Sequence, residues 1–126
     1  MSSASKALEL LSLFSQTQPE IGLSEMCKLA KRDKATTYRH LQVLEAAGFV
    51  EQSSTTRHYR LGPALLRLGR MREITVPREA GARGAVNTLA DKTGETAHVS
   101  VLSGATLFAL LACESPKHST RAVIDI

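Results

Sequence analysis

Apolar side chains recur along the first half of the chain at helical spacing. In SASKALELLSLFSQ, Ala7, Leu10, Leu11 and Phe14 stand at i, i+3, i+4 and i+7, the stripe of a helix that buries one face. Ser3 is suited to cap its start, and TQPE ends it. GLSEMCKLAK predicts a second, shorter helix, with Gly22 as N-cap, Glu25 in the first turn, and Leu23, Met26, Cys27 and Ala30 on the buried side. A third follows almost at once. Asp33 caps it, Thr37, Leu41 and Leu44 carry its inward face, and Gly48 supplies the left-handed residue beyond its end.

After Gly48 the period changes. FVEQ and RHYRL are short extended runs around the polar SSTT, which predicts a β-hairpin. Three helices and a hairpin make a winged helix-turn-helix over residues 1–62. LGP stops the second strand, and Pro63 suits the first turn of a new helix, PALLRLGRMRE, within a linker segment at 63–76. Pro77 breaks that helix and opens PREAGARGAVNTLADKTG, with Ala82, Val86, Leu89 and Ala90 inward and Gly94 as the stop. ETAHVSVLSGATLFALLACES reads as a hairpin about Gly104, and AVIDI as a final extended piece. The fold class is therefore mainly α with a small β component, and residues 77–126 form a separate segment of helix and hairpin.

Composition narrows the chemistry. Of 126 residues, 43% are hydrophobic but only 4% aromatic, with no Trp, which favours packed Leu, Ala and Val helices over an aromatic-lined carbohydrate site. Cys27 and Cys113 sit in apolar segments without CxxC spacing, as reduced core thiols of a cytoplasmic protein do. KALELLSLF is interrupted by Glu9 and lacks a small-residue cleavage site, so it reads as an amphipathic helix rather than a signal peptide. No apolar run approaches the ~20 residues of a membrane span.

Charge is more telling once the chain is divided. Residues 1–72 carry 11 Lys and Arg against 6 Asp and Glu, a net of +5, whereas residues 73–126 carry 5 against 6, a net of −1. The basic excess belongs to the first half alone, as expected of a polyanion-binding domain joined to a neutral one.

The third helix shows where that polyanion would lie. Lys34, Thr36, Thr37, Tyr38, Arg39 and Gln42 crowd its first half, after which it turns apolar. Two helices joined by a few residues, the second polar at its N-terminal half, is the arrangement in which the second helix enters a DNA major groove. Ala35, Tyr38, Arg39 and Gln42 share one face of the helical wheel. Arg39 can pair with guanine O6 and N7, and Gln42 with adenine N6 and N7. Tyr38 can reach a phosphate or a thymine methyl, while Lys34, Thr36 and Lys6 would hold the backbone. Thr37 is grouped with these contacts although its position also falls on the inward face. On the hairpin, Arg57 and His58 could touch a flanking phosphate or the minor groove, or form a solvated tip. His40 borders the buried stripe, where packing and a base contact are both open.

Other classes fit less well. His98 and Ser100 lie in an alternating strand with no nucleophile elbow, and the four histidines lack metal-ligand spacing. No catalytic, metal or cofactor residue is therefore assigned. A winged helix used only for protein association would present a short apolar recognition face, and this face is polar.

SKALELLSLF, LSEMCKLAKRDKATTYRHLQVLEAAGFVE and YRLGPALLRLG resemble the DNA-binding part of the IclR-type transcriptional regulators. The match covers Thr36, Arg39, Leu41 to Glu45, Gly48 to Val50 and the wing's Tyr59 to Gly62, and TLADKTGETAHVSVL resembles the start of that family's effector domain. The resemblance implies a pseudo-palindromic double-stranded DNA operator, a homodimer or homotetramer formed through the N-terminal domain and linker, and a small organic acid or aromatic effector. It also implies that 77–126 is the first part of an α/β, GAF-like effector domain of ~100 residues continuing past Ile126. Two positions depart from the family pattern. Lys31 and Arg32 stand where Gly-Leu is usual, and His40 stands where Leu is usual, which supports a packing role for His40.

Overall fold

Ser2 rather than Ser3 caps the first helix. Its hydroxyl accepts from the Ser5 N–H, and α1 runs Ser3–Leu11. The chain then tightens through i→i−3 bonds from Ser12, Leu13 and Phe14, so Phe14 packs on the core from beyond the helix. The computed structural model describes residues 2–114 of the chain.

A two-residue strand, β1 (Glu20–Ile21), leads into α2 (Leu23–Ala30), which Gly22 caps without a side chain. α2 ends on Lys31, whose φ of 56° and ψ of 48° lie in the left-handed region. The turn is closed by Arg32 N–H donating to the Cys27 carbonyl at 3.1 Å. A side chain at this conformation carries strain that glycine avoids. Lys31→Gly is therefore expected to raise stability by about 0.5–1 kcal/mol, read as a higher denaturant midpoint. An unchanged midpoint would mean that the lysine is already relaxed there.

α3 (Lys34–Ala46) follows, then the wing strands β2 (Val50–Gln52) and β3 (Tyr59–Leu61). The antiparallel sheet has the order β1-β3-β2. Arg60 on the central strand pairs in register with Glu20 on one side and Glu51 on the other, and its guanidinium bonds Glu51 at 2.8 Å and Glu20 at 3.6 Å. Exposed pairs add little stability, but here they mark the register of a very short sheet.

One core joins these elements. Leu10, Ile21, Met26, Leu41 and Val50 are fully buried, with Ala7, Leu44 and Tyr59 around them. Each large aliphatic side chain so buried contributes about 1.5–3 kcal/mol, and α3 lies across the centre with Leu41 and Leu44 inward. Gly48, at φ +80°, turns the chain out of α3. The Gly48 carbonyl accepts from Ala64 N–H at 3.0 Å, and Gly62 N–H donates to the Phe49 carbonyl at 2.8 Å. These bonds tie the end of the wing to the end of α3.

α4 (Pro63–Thr75) carries the chain onward. Two compact units divide within this helix, at Met71 and Arg72. In the second, α5 (Arg78–Thr93) ends on Gly94 at φ 69° and packs on an antiparallel hairpin of β4 (Ala97–Ser103) and β5 (Thr106–Cys113). Val86 and Ala90 of α5 are buried with Ala97. Leu89 is a correction: expected inward, it is 54% exposed, because one residue from Ala90 rotates it about 100° off the buried line. The hairpin turns at Gly104, φ +59°. The AVIDI piece lies outside the described residues.

Candidate nucleic-acid interface

The start of α3 is held by its own cap. An Asp33 carboxylate oxygen accepts the Thr36 N–H at 3.0 Å, and hydrogen bonding from Thr36, side chain first and then backbone, holds that carboxyl below its ordinary range. The first turn is thus fixed before any ligand arrives. Thr37 is a second correction. It is fully buried and its hydroxyl donates to the Asp33 carbonyl at 2.8 Å, so it braces the cap from inside and is removed from the DNA-contact set.

The rest of the predicted helix face is open. Lys34, Ala35, Tyr38, Arg39 and Gln42 are exposed, Tyr38 at 44%, and Thr36 is half-buried. An Arg39 guanidinium nitrogen lies 3.4 Å from the Thr36 hydroxyl, a long contact that leaves most of the guanidinium's donors uncommitted. Lys34, Ala35 and Tyr38 line a shallow hollow with Leu23 of α2. Gln42 stands further along α3 and lines none of the hollows described here.

The wing tip is built from hydrogen bonds rather than from a glycine turn. Ser53 N–H donates to the His58 carbonyl at 2.8 Å, Arg57 N–H to the Ser53 carbonyl at 2.9 Å, and the Gln52 amide to the Arg57 carbonyl at 2.8 Å. The Ser53 hydroxyl accepts from Thr55 and Thr56 N–H. This network holds Arg57 at φ 64° and leaves the Arg57 and His58 side chains exposed. The His58 ring lies over Gly22, where a Cβ would come within 3.2 Å of it. Arg57, His58, Lys34 and Lys28 line one hollow of about 600 Å³ between the wing and α2. Lys28 was not singled out in the sequence, where it is one polar residue on the outer side of a short helix.

On the other side of α3, Lys6, Thr36 and Arg39 line a groove against α1 together with Ser3, His40 and Val43. Lys6 is half-buried, and its carbonyl accepts from Arg32, which is also ion-paired with Glu9. His40 is buried, 9% exposed. Burial first, then the charges of Arg32, Arg39 and Lys6, hold its pKa below the ordinary histidine value, with Asp33 acting the other way. Among the described residues no cluster of three His, Cys, Asp or Glu could hold a metal ion, and no helix is long and apolar enough to cross a membrane.

Residues 3–54 match the family profile described as the IclR helix-turn-helix domain. The transcriptional regulator XynR of Escherichia coli is 29% identical over 102 residues, which are 81% of this chain and 40% of that protein. The glycerol operon regulatory protein of Streptomyces coelicolor is 33% identical over 100 residues, 79% of this chain and 39% of its own. A chain from Silicibacter sp., solved as a candidate IclR transcriptional regulator, superposes with a TM-score of 0.92 at 42% identity, over 98% of this chain and 49% of that one. This chain spans less than half the length of each. These relatives are described as regulators, not enzymes. The chain carries the IclR helix-turn-helix domain over residues 3–54 and is similar along most of its length to IclR-type transcriptional regulators.

Proposed function

We propose that this chain is the DNA-binding and linker portion of an effector-controlled regulator that reads a pseudo-palindromic operator. The observation that carries the reading is the division of α3. Thr37, His40, Leu41 and Leu44 are buried, while Lys34, Ala35, Tyr38, Arg39 and Gln42 face outward from a first turn fixed by Asp33. Arg39 and Gln42 read base edges, Lys6, Lys34 and Thr36 hold backbone phosphates, and the wing places Arg57 and His58 beside the flanking duplex. A two-fold assembly then presents the same helix to each half-site.

Two features support the wider reading. Leu66, Leu68, Met71 and Ile74 of α4 are exposed, Ile74 at 77%, and apolar surface of this kind favours a partner helix in a homodimer or homotetramer. In the second unit, Arg72 and Arg78 line a hollow of about 310 Å³ with Glu73, Val101, Phe108 and Leu110. Guanidinium beside aromatic and aliphatic walls suits a small organic acid or aromatic effector, as a GAF-like domain beginning in this unit would bind.

The test is affinity for random-sequence duplex DNA across a range of salt. Binding is expected to weaken steeply, with log K falling against log salt by about 0.9 for each phosphate contacted. Binding that ignores salt, or no binding at all, would reassign the winged helix to protein association.

A further inference from the structure

His40 occupies a position that the recognition helix would ordinarily give to an aliphatic core residue, and its surroundings show what a ring gains there. It is nine-tenths buried, and its Nδ1 is shielded from solvent without a hydrogen-bond partner. A neutral imidazole has one N–H and one bare nitrogen. Turning the N–H into a site with no acceptor would cost the full desolvation of a donor, whereas a bare nitrogen there sits well among Lys6, Arg32 and Arg39. The neighbouring cations therefore favour the tautomer with its proton on Nε2, and the ring contributes to the lining of the α1–α3 groove, about 440 Å³ in volume.

We propose that a DNA backbone phosphate seats in this groove, accepting a hydrogen bond from the neutral His40 ring through Nε2–H, with Lys6 supplying the charge and the Ser3 and Thr36 hydroxyls further donors. The assignment rests on the DNA-binding function proposed above and adds a phosphate contact on the α1 side of the helix. Every cation that faces the ring favours this arrangement. Lys6 comes from α1, Arg32, paired with Glu9, from the turn before α3, and Arg39 from α3 itself, with Asp33 the single opposing charge. All three cations keep the free ring neutral, and Lys6 and Arg39, which line the groove, draw a phosphate.

Two consequences separate His40 from an ordinary basic contact. A neutral donor displaces no counterion, so its removal lowers affinity without altering the salt slope. The buried Nδ1 has no acceptor for a second proton, so the ring stays neutral in the complex as in the free protein. The contribution of His40 to affinity is then the same at about pH 8 and about pH 6.

The experiment compares wild type, His40→Leu and Lys6→Ala on a random-sequence duplex, at about pH 8 and about pH 6 and at several salt concentrations. His40→Leu keeps an apolar side chain on the core and is expected to bind about tenfold more weakly with the wild-type salt slope. The ratio of wild-type to variant affinity is expected to be the same at both pH values, and a ratio that grows at the lower pH would overturn the neutral-donor assignment. Lys6→Ala is expected to reduce the slope by about 1. A His40→Leu protein that binds as wild type at both pH values overturns the assignment and leaves His40 a packing residue. Wild-type protein that binds no duplex removes the function and the groove together. Nitrogen NMR of the wild-type imidazole covers the case in which the variant does not fold. An Nε2–H tautomer whose signals move on adding duplex supports the contact, and an Nδ1–H tautomer or unmoved signals overturn it. Inorganic phosphate moving the same signals as strongly as duplex would make the groove a free-anion site and also overturn it.

Discussion

Replacing Gly62 by alanine is expected to destabilise the winged helix by about 2–4 kcal/mol. A Cβ at this position would lie 2.2 Å from the Gly48 carbonyl oxygen, 2.9 Å from the Gly48 carbonyl carbon and 3.0 Å from the Phe49 carbonyl carbon. All three atoms are backbone, so no side chain can rotate aside. The crowded pair is also the point where Gly62 N–H meets the Phe49 carbonyl and Ala64 N–H meets the Gly48 carbonyl. Relieving the clash pulls the β3–α4 junction away from the α3–β2 junction and breaks both bonds. Gly69→Ala is the control, because nothing lies within 4 Å of a Cβ there and alanine is the better residue inside a helix, by about 0.5–1 kcal/mol. Denaturation of both variants decides the matter. A Gly62→Ala protein as stable as Gly69→Ala would show that the junction can open without loss.

That contact also shows what a single sequence does and does not reveal. Gly48 was legible because it follows a helical stripe and is followed by a change of period, and its φ of +80° agrees. Gly62 is read as part of a strand end, since nothing local says that it touches a residue fourteen positions earlier. β1 escaped for a related reason. Two residues carry no period, and Glu20 and Ile21 become a strand only because Arg60 and Tyr59 lie opposite them.

The site divides in the same way. Periodicity placed Leu41 and Leu44 inward and left Arg39 and Gln42 outward, and the capping chemistry of Asp33 set the start of the helix. Thr37 was ambiguous because a hydroxyl reads as polar in sequence. In the fold that hydroxyl is satisfied by the Asp33 carbonyl one turn back, which lets threonine fill a core position. Lys31 takes a left-handed conformation that its side chain does not advertise. His40 stands open in sequence between packing and a base contact, and the groove beside it needs Ser3 and Lys6 of α1, more than thirty residues away.

The largest functional effect is expected at Arg39. The guanidinium stands on the open face of α3, within two turns of a cap that fixes the helix start, and its hydrogen bond among the described residues is the long contact to Thr36. A bidentate bond to guanine then requires little reorganisation, and its loss removes an interaction that exists on one sequence and not on another. Arg39→Ala is accordingly expected to cost about 1–3 kcal/mol on an operator selected from random duplexes, and much less on random DNA. Lys34 differs because it sits at the first position of α3 and lines the wing hollow, where the partner we propose for it is a backbone phosphate. Lys34→Ala should weaken operator and random DNA alike and lower the slope of log K against log salt by about 1. Titrating both variants on both duplexes at several salt concentrations separates the two contacts. An Arg39→Ala protein that loses the same affinity on both duplexes, with a reduced salt slope, would place Arg39 on a phosphate and leave Gln42 as the remaining base-reading side chain of this face.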